Sequence, residues 1–183
     1  MRLPRYPLQL LALGLAAACS DPSGPGLNGP PFFNATVNGS LWSPEISQGY
    51  CVDADLDIYA NRSASPSTGS EVLVVSLGDL PRLGSFNLGD SASGRSAIFV
   101  VFPLSTGSKK TYSTRSQDPG QIKITGLDLT DSLVAGTFQF RATDITNPTD
   151  QRTIAGEFRL RLFPVYTVEH PQGSPCLVPP SAD

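Results

Sequence analysis

One histidine, His170, serves the whole 183-residue chain. Multi-histidine zinc centres are therefore excluded, and a Ser-His-Asp triad would rest on this one residue, set among Glu169, Pro171 and Gln172. G-x-S-x-G, H-E-x-x-H and C-x-x-C are all missing. Charge is thin and mixed: 13 Lys+Arg against 16 Asp+Glu, a formal net charge of −3. Such a surface is a poor candidate for a nucleic-acid partner, and none is expected. The only adjacent pair of lysines, Lys109-Lys110, reads as a solvated turn. No long window carries the 3.6-residue period of a helix, and beyond the N-terminus no apolar run is long enough to span a bilayer. With no catalytic signature, the expectation is a protein that is not an enzyme.

The N-terminus is where the sequence speaks most plainly. Arg2 and Arg5 precede an apolar run from Leu8 to Ala18, which closes on Leu15-Ala-Ala-Ala-Cys19. A charged start, a short apolar stretch and small residues before a cleavage point make a signal peptide, residues 1–18. The cysteine just after it makes the layout resemble a bacterial lipoprotein signal, which implies acyl (palmitate-type) lipidation of Cys19. Ala16 stands where Leu is usual in that pattern, so the alternative is an ordinary secretory signal cut near Ala18. Acyl chains contribute about 0.8 kcal/mol per buried methylene, so two or more hold a protein stably to a membrane. The expected address is the cell envelope. Ser20, not Asp, follows Cys19, which leans to the outer membrane. An exported protein meets an oxidising compartment, so Cys51 and Cys176 are expected as a disulfide. Unpaired thiols or an intermolecular bridge are the alternatives.

Residues 19–31 are rich in Ser, Gly and Pro and read as a flexible tether. Residues 32–165 read as one domain, and 166–183 as an irregular tail. Within the domain strand signals dominate. Asn38-Gly39 between Phe33–Val37 and Ser40–Trp42 is a type I′ hairpin signal. Val52 to Ala60 alternates, with Leu56 and Ile58 on one face and Asp53, Asp55, Asp57 and Tyr59 on the other. Glu71–Leu77 and Ala97–Phe102 are continuous apolar runs, expected to be covered on both sides, while Lys110–Arg115 reads as an edge strand. Further strands are expected at Gln121–Thr125, Thr137–Thr143 and Glu157–Leu162. A short echo relates Val134-Ala-Gly-Thr-Phe-Gln-Phe-Arg141 to Ile154-Ala-Gly-Glu-Phe-Arg-Leu-Arg161, with Leu83-Gly-Ser-Phe-Asn-Leu88 a weaker third copy. The expected fold is all-β, a two-sheet antiparallel β-sandwich of about nine or ten strands, with a closed up-and-down β-barrel as the alternative.

Phe33-Asn-Ala-Thr-Val-Asn-Gly-Ser-Leu-Trp42 resembles the opening A-x-V-N-G-x-x-W of a family of secreted bacterial lipoproteins of unknown function. Gly120–Thr125 followed by Val134–Phe140 is similar to that family's second half. The resemblance implies a fold and no chemistry.

Asp53, Asp55, Asp57 and Tyr59 are the candidate ligand or calcium face, since calcium prefers clustered oxygen ligands. Asp128 and Asp131, or Asp144 and Asp150, are candidates to complete it. The bland reading is a solvated strand face. Ile58 occupies the position where an EF-hand loop needs Gly. Glycosidase chemistry needs two carboxylates about 5–9.5 Å apart, and Glu45, Glu71, Glu157 and Glu169 are scattered. Trp42, Tyr50, Tyr59 and Tyr112 are candidates for a sugar-stacking platform, although Trp42 just after a hairpin suits a core equally well. The expected function is a membrane-anchored, non-catalytic binding or display module. Polysaccharide or an envelope protein is its expected partner. An assembly component of the envelope is the alternative, and a hydrolase a lesser one.

Overall fold

The computed structural model describes residues 24–52, 55–65, 69–78, 81–89, 91–103 and 107–165. Cys19, Asp53, His170 and Cys176 lie outside them. Among the described residues eleven strands form: β1 (Phe32–Val37), β2 (Ser40–Trp42), β3 (Ile46–Val52), β4 (Asp55–Ser65), β5 (Gly69–Ser76), β6 (Gly84–Asn87), β7 (Ser96–Phe102), β8 (Lys110–Ser113), β9 (Gln121–Asp128), β10 (Leu133–Asp144) and β11 (Gln151–Pro164). The all-β expectation holds.

All eleven strands join one mixed sheet in the order β2-β1-β11-β3-β4-β5-β7-β8-β10-β9-β6, with β10 also paired to β11. Its sandwich-like organisation comes from the two long strands. β11 pairs with β1 through Ile154–Arg159 and then with β3 through Leu162–Pro164. β10 pairs with β9 through Leu133–Gln139 and then with β8 through Thr143 and Asp144. Each long strand therefore leaves one set of neighbours and joins another, as strands do at the corners of packed sheets. The result is a six-strand layer, β2-β1-β11-β10-β9-β6, and a five-strand layer, β3-β4-β5-β7-β8. The strand count exceeds nine or ten because β3 and β6 were not both expected as strands. The β11–β3 pairing is parallel, so the fold is not wholly antiparallel. Seven strands complete a hydrogen-bonded circuit, but four lie outside it and one closing pair is parallel, unlike an up-and-down barrel.

The core follows from alternation. Leu56, Ile58 and Ala60 of β4, Leu73 and Val75 of β5, and Phe158, Leu160 and Leu162 of β11 are buried, with polar or half-buried residues between them. Aromatic rings link the two layers in a chain. Phe158 stacks on Phe138 (6.3 Å between centroids), Phe138 meets Phe33 (5.5 Å), and Phe33 meets Trp42 edge-on (6.1 Å). Trp42 meets Phe99 (6.0 Å), and Phe99 meets Tyr112 (6.2 Å). Trp42 thus belongs to the core. Its indole Nε1 donates to Glu71 Oε2 at 2.6 Å, and Arg62 pairs with the same oxygen at 2.5 Å.

The sequence echo has a packing cause. Gly136 lies opposite Phe158, and Phe138 opposite Gly156. A Cβ on Gly136 would stand 2.9 Å from Phe158 Cζ, and one on Gly156 would stand 2.6 Å from Phe138 Cζ. Each glycine leaves room for the ring of the other copy, a reciprocal use of glycine under a cross-strand aromatic. The third copy does not share this: a Cβ on Gly84 would meet only Phe86 of its own strand.

The Asn38-Gly39 turn has the two positive φ angles of type I′, 50° and 78°. It is tied to β11 by Asn38 N–H to Thr153 O (2.8 Å) and Thr153 N–H to Asn38 Oδ1 (2.9 Å). Val52 belongs to β3, across from Asp55 of β4, so the expected Val52–Ala60 run is two strands. β8 lies between β7 and β10 rather than at an edge. Cys51 is wholly buried and is not a free thiol.

Candidate functional site

Asp55, Asp57 and Tyr59 share the outward face of β4, half-buried. Asp57 lies across from Tyr50 and Ser76, and Tyr59 across from Gln48 and Val74. The Tyr59 ring meets Tyr50 edge-on at 6.0 Å, and Tyr50 meets Phe163 at 6.5 Å. Tyr50 OH donates to Gln48 Oε1, and Asn61 Nδ2 donates to Tyr59 OH at 3.1 Å. Tyr50 and Tyr59 therefore do form a surface pair, while Tyr112 and Trp42 are buried and leave the expected stacking platform.

The other aspartates are engaged locally. Asp128 Oδ1 accepts from Thr130 and Asp131 N–H (2.9 and 3.0 Å). Asp144 Oδ1 accepts from Thr146 N–H and Oγ1–H and from Asn147 N–H (2.7, 2.6 and 3.0 Å). Among the described residues no group of three His, Cys, Asp or Glu is placed to hold a metal. Glu45 and Glu157 are exposed on different elements, Glu71 is held by Trp42 and Arg62, and Glu169 lies outside the described residues.

A polar cluster unforeseen from sequence clasps the β10–β11 hairpin to β8. Lys110 Nζ and Tyr112 OH both donate to Asp150 Oδ2 (2.7 and 3.0 Å), and Arg152 pairs with Asp150 Oδ1 at 3.3 Å. Arg152 also donates to Tyr112 OH (3.1 Å) and lies 5.0 Å over its ring. The Lys110 hydrogen bond holds the Asp150 carboxyl below its ordinary pKa. The Thr146 hydroxyl does the same for Asp144. Burial, then the bond to Asp150, raises the Tyr112 phenol. The one sequence signal was Asp144-x-Thr-Asn147, an Asx-turn pattern.

A further concavity lies elsewhere, on the outer face of the six-strand layer. It is a groove of about 820 Å³. Cross-strand register builds its floor from two polar rows. Ser85, Lys123 and Thr137 form one, and Asn87, Gln121 and Gln139 form the other. These residues alternate with inward Phe86, Ile122, Phe138 and Phe140, so core burial aims the amides outward. Among the described residues the side-chain amides of Asn87, Gln121 and Gln139 have no hydrogen-bond partner. Gly120 closes one end by lying flat on β10, where a Cβ would come within 2.1 Å of Phe140 Cβ. An ion pair at the rim, Arg141 to Asp118 (2.9 Å), is about half exposed on both sides. At such exposure it contributes about 0–1 kcal/mol. Asp118 is the one carboxylate lining the groove. The floor offers amides and hydroxyls, which both donate and accept, together with the Lys123 ammonium, which only donates.

Residues 24–31, the second part of the expected tether, lie along this face as a strap. A bulge in β9 leaves Thr125 unpaired between Ile124 and Gly126, and its hydroxyl donates to Pro25 O at 2.7 Å. Arg159 donates to Gly26 O and Pro30 O (2.7 and 3.0 Å) and lies 5.1 Å over the Phe32 ring. Leu27 packs on Gly126, and Gly24 lines the groove.

The molecule is thus an all-β, sandwich-like domain with a hydroxyl- and amide-floored groove on one outer face. A family model described as Domain of unknown function (DUF6252) matches residues 29–159, and the chain belongs to that family. No curated protein and no solved structure matches it.

Proposed function

We propose that this chain is a lipid-anchored, non-catalytic binding module of the bacterial cell envelope, and that its groove takes a polysaccharide. The observation that carries the reading is the pair of polar rows on the groove floor, with three amides uncommitted inside the protein. Sugar hydroxyls need partners that donate and accept at once, and amides supply both. Groove volumes of about 300–1,000 Å³ suit ligands of a few sugar units. Hydrogen bonds of about 1 kcal/mol each, offset by immobilisation, give a dissociation constant on the order of a millimolar.

The test is an NMR titration with envelope polysaccharide fragments. Amide shifts at Asn87, Gln121 and Gln139, lost in the Gln121→Ala/Gln139→Ala variant with melting unchanged, support the reading. Equal binding by that variant overturns it.

The signal-like segment ending at Cys19 supports the anchor, and Ser20 supports the outer membrane. The mass of the mature N-terminal peptide checks lipidation. Cys176 is the proposed partner of Cys51. Val165 N–H donates to Cys51 O at 3.0 Å, which brings the chain leading to Cys176 beside Cys51. Peptide mapping without reductant decides it.

One observation favours a second reading, an envelope component that docks a protein. The outer face of the five-strand layer carries half-buried Val72, Val74, Ile98 and Val100, with Phe102 exposed at its margin. Contiguous apolar surface of this kind marks protein contacts. A photocrosslinker at position 100 that captures an envelope protein in cells, when one at position 87 does not, would favour it.

A further inference from the structure

Resting on the reading of Cys19 as the lipidated residue, we infer that the groove faces the supporting membrane and takes sugars borne by its headgroups. The strap fixes this orientation. Gly24 lines the groove, and a Cβ on it would stand 2.9 Å from Cγ2 of both Thr125 and Thr137. From there the strap is held by Thr125 Oγ1 to Pro25 O, by Arg159 to Gly26 O and Pro30 O, and by Leu27 on Gly126. Gly24, the first described residue, therefore lies at the groove.

Only five peptide units separate Cys19 from Gly24. Fully extended they reach about 17 Å. The acyl chains begin at Cys19, and the headgroup layer above them is about 5–8 Å thick. The groove thus stays within about 10 Å of the headgroup surface, however the link bends. The opposite outer face, with Val72, Val74, Ile98 and Val100, lies across the sandwich. A sheet spacing of about 10 Å plus two layers of side chains separates it from the groove. The groove face is consequently membrane-proximal, and the face bearing the valine patch points away. A distant polymer must enter a narrow gap to reach the groove, whereas a headgroup sugar already occupies it.

The test uses the full lipidated chain in phosphatidylethanolamine vesicles, with a genetically encoded fluorophore at position 87 or position 111. Position 87 is on the groove floor; Thr111 lies across from Val100 on the far face. Energy transfer to a headgroup-labelled lipid should be several-fold stronger from 87. Inserting a Gly/Ser segment of about 20 residues between Ser23 and Gly24 should remove the difference. Equal transfer from an acylated protein, or stronger transfer from 111, overturns the inference alone. Mass spectrometry showing no acyl group on Cys19 overturns the anchor reading, and the inference with it. To separate the sugar's source, the backbone amide shift of Lys123 in the fluorophore-free lipidated chain is followed with lipopolysaccharide in phospholipid nanodiscs and with its delipidated polysaccharide in solution. A response to the membrane-borne form that vanishes in Gln121→Ala/Gln139→Ala supports the inference. An equal response to the dissolved form at equal sugar concentration, or none to either, overturns the headgroup assignment.

Discussion

The two outer faces of the molecule share one core and differ in nearly everything else. Behind the six-strand face lie Phe138, Phe140 and Phe158; behind the five-strand face lie Ile58, Leu73 and Phe99. Yet the first displays Asn87, Gln121, Thr137 and Gln139, whereas the second sets an apolar patch of Val72, Val74, Ile98 and Val100 beside Asp57, Tyr59 and Asn61. Folding requires only that alternate residues be apolar on the inside. The outward positions are free of that demand, so the chemistry they carry is where partners are selected. A polar concavity suits a small hydrated ligand, and an apolar patch bordered by polar residues suits another protein.

The severest way to break this comparison is to remove what both faces lean on. Phe158 is fully buried and stacks on Phe138, so Phe158→Ala should cost about 3–5 kcal/mol in chemical denaturation. A loss under about 1 kcal/mol would show that the aromatic chain does not unite the layers. Gly136→Val belongs with it, since a Cβ there would approach Lys123 O to 2.4 Å.

Glu71→Ala comes next. It leaves the buried Trp42 indole N–H without its acceptor and Arg62 without its partner. The expected cost is about 1.5–3 kcal/mol, read as a lower denaturation midpoint. Trp42 fluorescence reports the same change locally.

Acid loosens the clasp that joins the layers at β8. Both Asp144 and Asp150 are held below the ordinary carboxylate pKa of about 3.9. The folded state therefore binds fewer protons than the unfolded one in this range. Their contribution is complete above about pH 4 and fades as pH falls through the lower folded values. Thermal melts taken stepwise downward from pH 5 should fall, and Asp150→Asn should flatten that fall. A variant that melts with the parent's full acid dependence would remove Asp150 from the account.

The smallest effects on stability fall on the faces themselves, and they separate the two most cleanly. Val72→Thr with Val100→Thr should cost less than about 1 kcal/mol while reducing binding of an apolar dye. Gln121→Ala with Gln139→Ala should change stability by no more than about 0.5 kcal/mol while abolishing sugar binding. If the valine pair, not the glutamine pair, abolished sugar binding, the two faces would have to exchange roles.

Local chemistry was legible wherever a residue's own backbone decided the outcome. Asn38-Gly39 announces its turn because few other pairs accept positive φ at both positions. Alternation placed Leu56 and Ile58, and likewise Phe158, Leu160 and Leu162, on the buried side. The same rule put Asp55, Asp57 and Tyr59 outward but gave no sign that Tyr50 and Phe163 would join Tyr59. The groove escaped notice because Asn87, Gln121 and Gln139 sit on three strands, and their proximity exists only through register. The strap escaped because a Gly- and Pro-rich stretch looks free until Arg159, far along the chain, reaches back to hold it.

Sequence alone determined the all-β class, the hairpin turns and the inward residues, because these follow from φ preferences and the two-residue period of a strand. It also supplied the Gly–Phe echo, without its meaning. Tertiary structure decided that each glycine of one copy receives the phenylalanine of the other. It likewise decided that β10 and β11 change partners midway, and that one outer face is a polar groove while the other bears an apolar patch. Those outcomes depend on which strands become neighbours, and strand neighbours are set by long-range pairing that no local window of residues contains.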